Sequence, residues 1–138
     1  MSQGMKSLRV NSGEMSVFYR AGITGLATIN TFIDLWELPT GTVIYDATIW
    51  VTTADTTATV DVALISKEAA PRTFASITDA IAGDIGLMTQ TVALLAPIAG
   101  TQAQRKLSLT NTSAGTGDGV YAAIIVATRP GPEPQASA

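Results

Sequence analysis

The sequence predicts an all-β sandwich or barrel on three observations. Apolar and polar residues alternate in short runs, turn chemistry separates those runs at roughly 8–12-residue intervals, and helical periodicity is confined to one short stretch. The pattern is densest from Phe32 to Ile65, where three alternating runs are broken by Pro39-Thr40-Gly41 and Ala54-Asp55-Thr56. These runs read as a meander against which the other strands are laid. Val43, Tyr45, Ala47, Ile49 and Val51 fall on one face of an extended chain, with Asp46, Thr48 and Thr52 on the other. A period of two is the mark of a strand buried on one side.

Residues 1–13 hold Gly4, Asn11, Ser12 and Gly13 and only a weak strand pattern, and read as an arm. A first strand, Met15–Arg20, places Met15, Val17 and Tyr19 on one face and ends at Ala21-Gly22. Leu26–Leu38 is apolar on both faces, which suggests that it is covered twice or bends between sheets. Pro39 and Gly41 then supply a fixed φ and a positive one, the needs of a tight turn. The long strand Thr42–Thr53 follows, and then Thr59–Ile65 with Val60, Val62 and Leu64 inward. In Ala75–Ala82 the order Ser76, Asp79, Gly83 resembles helix capping, so one short helix is expected there. Strands resume at Met88–Leu95 and at Arg105–Asn111, the latter with Leu107 and Leu109 inward. Thr112–Gly119 reads as a hairpin loop, and Val120–Thr128 as a last strand, apolar on both faces. Residues 130–138 include Pro130, Pro132 and Pro134 and read as an extended tail. The expected organisation is an arm (1–13), a sandwich domain (14–129) and a tail (130–138), with no repeat that would indicate a solenoid or propeller.

The composition narrows the function. Of 138 residues only 14% are charged, against roughly 25% in globular proteins. Thr and Ala supply about twenty residues each in their place. So neutral a surface suits a subunit within an assembly better than a dispersed monomer. Eight scattered basic residues against eleven acidic ones offer no stripe for phosphates, so nucleic acid is not an expected partner. Without His or Cys there is no imidazole base, thiolate nucleophile, Cys/His zinc site or disulfide. No secretory h-region follows the N-terminus. The longest apolar run, 120–127, is far short of the roughly 20 residues of a membrane helix, so no membrane partner is expected.

The remaining chemical candidates are weak. Asp46 and Asp61, if on facing strands, suggest a carboxylate pair, but no aromatic or basic neighbours build a sugar site. Asp79 and Asp84 lack the alternating acids of calcium loops and read as turn caps. Gly115, Gly117 and Gly119 precede neither a Lys-Ser/Thr pair nor a helix, so they are not a phosphate cradle. Trp36 and Trp50 are candidates for a sugar-stacking platform or, more simply, for a core edge or interface. No catalytic residue, metal ligand or cofactor is expected, and the protein reads as a non-enzyme.

The block LPTGTVIYDATIWVTTADTTATVDVALI resembles small all-β proteins of tailed-bacteriophage head modules. The resemblance is carried by Leu38, Pro39, Gly41, Thr42, Ile44, Asp46, Val51, Thr52, Thr53, Ala54, Thr59, Asp61 and Val62. It implies a jelly-roll-like sandwich of about eight strands and a capsid decoration (cement) protein on the outer surface of the virion. Its partners would be the major capsid protein and two copies of itself, as a homotrimer. A glycan-binding module of a fibre or tail is the other reading. Where relatives often carry an acidic, Gly-rich loop, this chain has Lys67-Glu68-Ala69-Ala70-Pro71-Arg72, a departure from the pattern. On the decoration reading, the expected capsid-binding residues are Met5, Lys6, Leu8, Arg9 and Val10 of the arm. Trp36, Tyr121 and Ile125, on the strands with surplus apolar surface, are the expected oligomer interface.

Overall fold

The computed structural model describes residues 14–26, 28–55, 60–88, 90–113 and 118–129. Eight strands follow in order: β1 (Glu14–Ile23), β2 (Phe32–Glu37), β3 (Val43–Thr53), β4 (Val62–Ser66), β5 (Thr73–Ile77), β6 (Ile85–Leu87), β7 (Lys106–Asn111) and β8 (Val120–Arg129). They form two antiparallel four-stranded sheets, ordered β1-β8-β3-β6 and β2-β7-β4-β5. First pairs with last, second with seventh, third with sixth and fourth with fifth. The chain is therefore one long hairpin folded over on itself, the connectivity of a jelly-roll-like β-sandwich.

This order corrects the expected meander. β2, β3 and β4 alternate between sheets, so Pro39–Gly41 lie in a crossover and no hairpin joins β3 to β4. β7 and β8 likewise lie in different sheets, so no hairpin joins them. The turn chemistry at the first crossover is as expected: Gly41 has φ 91°. The Thr42 N–H and hydroxyl both donate to the Pro39 carbonyl, at 3.2 and 2.7 Å.

The core lies between the sheets. Ala47, Ile49 and Val51 of β3, Val62 and Leu64 of β4, Leu107 and Leu109 of β7 and Tyr121, Ala123, Ile125 and Ala127 of β8 all point into it. Ile49 and Val62 are both fully buried, as the alternation predicts. At the start of β3 the alternation breaks: Ile44 pairs with Ala127 and Asp46 with Val126, leaving Tyr45 as the extra residue of a β-bulge. One extra residue shifts the phase by one. Ile44 is consequently buried and Tyr45 exposed, the reverse of their expected places. The long predicted strand Leu26–Leu38 is likewise cut short, by a turn at residues 28–30 in which Asn30 adopts φ 65°.

The expected short helix at 75–82 is not formed. Ala75–Ile77 complete β5 against β4, and Asp79, at φ 53°, turns the chain out of the strand. Phe74 and Ile77 belong to the core, and burying them against the neighbouring strand overrides weak helix propensity. The strand expected at Met88–Leu95 is displaced too. It forms as Ile85–Leu87 on β3, while residues 92–95 lie in turns.

The β4–β5 connection accounts for the departure at residues 67–72. Arg72 Nε and Nη2 donate to the two carboxylate oxygens of Glu68, at 2.9 and 3.1 Å, a paired geometry that fixes the guanidinium plane. Its Nη1 then donates to the carbonyls of Ala93 and Ala96, at 2.7 and 2.9 Å. The pair holds the β6–β7 connection against this end of the sandwich.

Two substitutions check this register. Ile49→Ala is expected to cost about 2–5 kcal/mol through lost burial and the cavity left behind, whereas exposed Asp46→Ala should stay within about 0.5 kcal/mol. Equal losses in a urea titration would invert β3. Gly86 is a second check, because a Cβ there would lie 2.6 Å from the Ser76 carbonyl oxygen and 2.8 Å from Ile49 Cγ1. Backbone cannot yield as a flexible side chain can, so Gly86→Ala should destabilise by about 1–3 kcal/mol, read from the same titration midpoint.

Candidate interaction surfaces

The two outer faces of the sandwich differ sharply in chemistry. On the β2-β7-β4-β5 sheet, Asp34 sits among cations. Lys67 Nζ is 2.7 Å from Oδ1 and Lys106 Nζ 3.7 Å from Oδ2, and the buried Ser108 hydroxyl donates to Oδ1 at 2.6 Å. Lys67 also lies 5.6 Å above the Phe32 ring. These polar groups close the outer side of the central strand β7.

The outer face of β1-β8-β3-β6 is apolar. Tyr19 is in register with Ile124 of β8, which faces Thr48 of β3 and, beyond it, Leu87 of β6. The adjoining row is Ala122, Trp50 and Ile85, and on the other side are Val17 and Val126 with Asp46. Met15, Val17, Tyr19, Ile85 and Leu87 are all exposed, Leu87 at 71%. Tyr19 and Trp50 stack with ring centroids 6.2 Å apart and planes at 23°. They stand on strands two spacings apart, about 9.6 Å, and reach each other across β8, where the small Ala122 leaves room.

The ends of the sandwich differ as well. The loops joining β1–β2, β3–β4, β5–β6 and β7–β8 gather at one end. They carry Asp55, Asp61, Asp79, Asp84 and Asp118 and no Lys or Arg. With five of the eleven acids and none of the eight bases there, that end has formal charge −5 and the rest of the chain +2. Within it the Asp79 N–H donates to Asp61 Oδ1 at 2.8 Å and the Ile81 N–H to Asp84 Oδ2 at 3.1 Å. The carboxylates of Asp61 and Asp84 thus cap turns, as expected for Asp84, while Asp79 is the backbone donor of the first bond. Asp61 is at this end and Asp46 near the other, so the strands do not bring them together as a carboxylate pair. Among the described residues no group of three or more acids is placed to hold a metal ion.

The residues predicted from sequence fare unequally. Tyr121 and Ile125, expected at an oligomer interface, are corrected: they are 1% and 0% exposed, inside the sandwich. The outward residues of β8 are the alternate set, Ile124 and Val126. Trp36 is half-buried at the core edge, its ring 6.0 Å from that of Phe18. Met5, Lys6, Leu8, Arg9 and Val10 lie outside the described residues. Sequence reasoning did not single out Val17, Tyr19, Ile85 or Leu87 as a surface, although the alternation in Met15–Tyr19 was visible. The aromatic pair Tyr19–Trp50 stands in an apolar field with few polar groups for sugar hydroxyls, which disfavours a carbohydrate platform.

No protein-family model matches this sequence, and no curated protein matches it. Solved structures do. The fold is similar to that of a chain in the capsid asymmetric unit of cyanophage Pam1, with TM-score 0.56, 19% identity, and coverage of 86% of this chain and 87% of that one. It is similar also to a chain in the capsid of Ralstonia phage GP4, with TM-score 0.55, 19% identity, and coverage of 87% and 86%. The shared feature is the whole fold, not a segment.

The Asp34 cluster has a pH signature. Burial raises the Asp34 pKa, but the Lys67 and Ser108 hydrogen bonds and the charges of Lys67 and Lys106 outweigh it and hold the carboxyl below 3.8. A depressed folded-state pKa gives stability that is fully present above the unfolded value and lost as pH falls through the folded one. Asp34→Asn should therefore destabilise at neutral pH, with the difference from wild type closing only below pH 3.8. Thermal melts across that range check it.

Proposed function

We propose that this protein is a structural component of a tailed-phage virion, and within it a decoration (cement) protein seated on the outside of the head. The observation that carries the reading is the likeness of the fold, over nearly the whole of each chain, to chains of two phage capsids. The low charge and the exposed apolar sheet face support it, since both suit a subunit whose surfaces are covered in an assembly. On this reading the protein is a homotrimer that bridges major capsid subunits and catalyses nothing. Its work is mechanical: each copy adds buried area across a junction that internal DNA pressure pulls apart. Standard interfaces bury about 1,600 Å², and the many equivalent sites of a shell multiply even a modest contact.

The fold also directs attention to one end. Glu14 of β1 pairs with Arg129 of β8 at the end of the sandwich opposite the aspartate loops. In sequence, Met5, Lys6, Leu8, Arg9 and Val10 shortly precede the start of β1 at that end. That end is the one proposed to face the capsid, with the aspartate loops directed away.

Undecorated heads built from the major capsid protein test the reading. The wild-type protein should co-sediment with them and raise their resistance to heat or chelation, and a cryo-EM map should show its density on the outer surface. Absence of binding would sink the decoration role. Deleting residues 1–13 should leave the melting temperature unchanged and weaken attachment; full affinity without the arm would move the anchor to the sandwich body.

A further inference from the structure

We infer that the outer face of the β1-β8-β3-β6 sheet is covered by a second copy of this chain. The inference rests on the decoration reading only for the setting, because the surface itself is defined by the fold. Its anchors are Met15, Val17, Tyr19, Trp50, Ile85 and Leu87, from three strands. Met15, Val17, Tyr19, Ile85 and Leu87 are 57–71% exposed, which at roughly 150–250 Å² for a large side chain puts the patch on the order of 500–800 Å². That reaches or exceeds the upper part of the roughly 300–600 Å² range for the largest patch on a typical monomer and approaches the ~800 Å² that each partner contributes to a standard interface. The stacked Tyr19–Trp50 pair near its middle, with Met15 at the rim, is the aromatic and Met enrichment found at interface cores.

Charge selects the occupant. In the rows described above, Asp46 is the charged residue of the face, so a basic or acidic partner finds almost nothing there to complement. A copy of the chain, itself only 14% charged, meets little desolvation penalty against it beyond that of Asp46. The cations of the opposite sheet face are already engaged with Asp34, so they do not compete as a self-association surface. Among the described strands β1 is an edge of this sheet and borders the patch, and an edge strand presents backbone groups that a neighbour can pair. In a three-fold arrangement with all arms on one side, the three sets of aspartate loops share one end. Such an association tightens as salt screens them, whereas a contact held by ion pairs weakens.

Sedimentation-velocity analysis of the full chain tests this with Val17→Asp and Leu87→Asp, on the two opposite edge strands, and with Val92→Asp as control. Val92 is 89% exposed and lies outside the sheet. Wild type and Val92→Asp should run as oligomers that are undiminished by added sodium chloride. Val17→Asp and Leu87→Asp should each run as monomers with unchanged β-sheet circular dichroism. A monomeric wild type, or oligomers that survive both face substitutions in folded protein, would overturn the inference. So would a monomeric wild type that binds heads and loses binding on Val17→Asp, since the face would then be covered by the capsid. Oligomers that dissociate on Val17→Asp but never bind heads would leave the inference standing and remove the decoration reading.

Discussion

Strand β8 is hydrogen-bonded on one side to β1, the first strand of the chain, and on the other to β3, and it contributes Tyr121, Ala123, Ile125 and Ala127 to the core. The β1-β8-β3-β6 sheet therefore cannot close before the last strand is in place. Pairing strands more than a hundred residues apart costs loop-closure entropy before any contact returns it, which makes such topologies slow to fold. Alternating large and small side chains on β8 fit the inward residues of the opposing sheet. The core, the pairing of the start of β1 with the end of β8, and the apolar outer face all follow from this one insertion.

Polar groups hold the rim where the core cannot. Buried Asn111 donates from Nδ2 to the Leu26 carbonyl at 3.2 Å, and its Oδ1 accepts from the Ser113 N–H at 2.9 Å. A satisfied buried amide thus ties the end of β7 to the β1–β2 connection, where an unsatisfied one would be costly. The Glu68–Arg72 pair does the same at the opposite end, spanning from the β4–β5 turn to carbonyls more than twenty residues away. Both fix loops that also anchor an apolar residue in the core, Leu26 in the first and Ile98 in the second.

The result is a molecule with separable surfaces: an apolar sheet face, a polar sheet face, an acidic loop end, and an opposite end that holds the start of β1 and the end of β8. That separation matters to an assembly subunit. Lateral, capsid-facing and solvent-facing contacts can each be served by a distinct surface without mixing their chemistry.

Alternation by itself determined the fold class and most inward positions. Ile49, Val60, Val62, Leu64, Leu107 and Leu109 were legible because a period of two separates two unlike faces. Where both faces are apolar, as in β8, periodicity cannot say which faces the core, and Tyr121 and Ile125 were placed outside for that reason. Crossovers were read as hairpins because proline, glycine and aspartate serve either kind of turn, and which sheet receives the next strand depends on distant partners. The β3 bulge and the strand at Thr73–Ile77 also come from pairing: one inserted residue inverts the phase, and a neighbouring strand outweighs a weak helix signal. The apolar face and the acidic end exist only in three dimensions. Their residues come from strands and loops scattered over the chain, and hydrogen-bonded register alone brings them together.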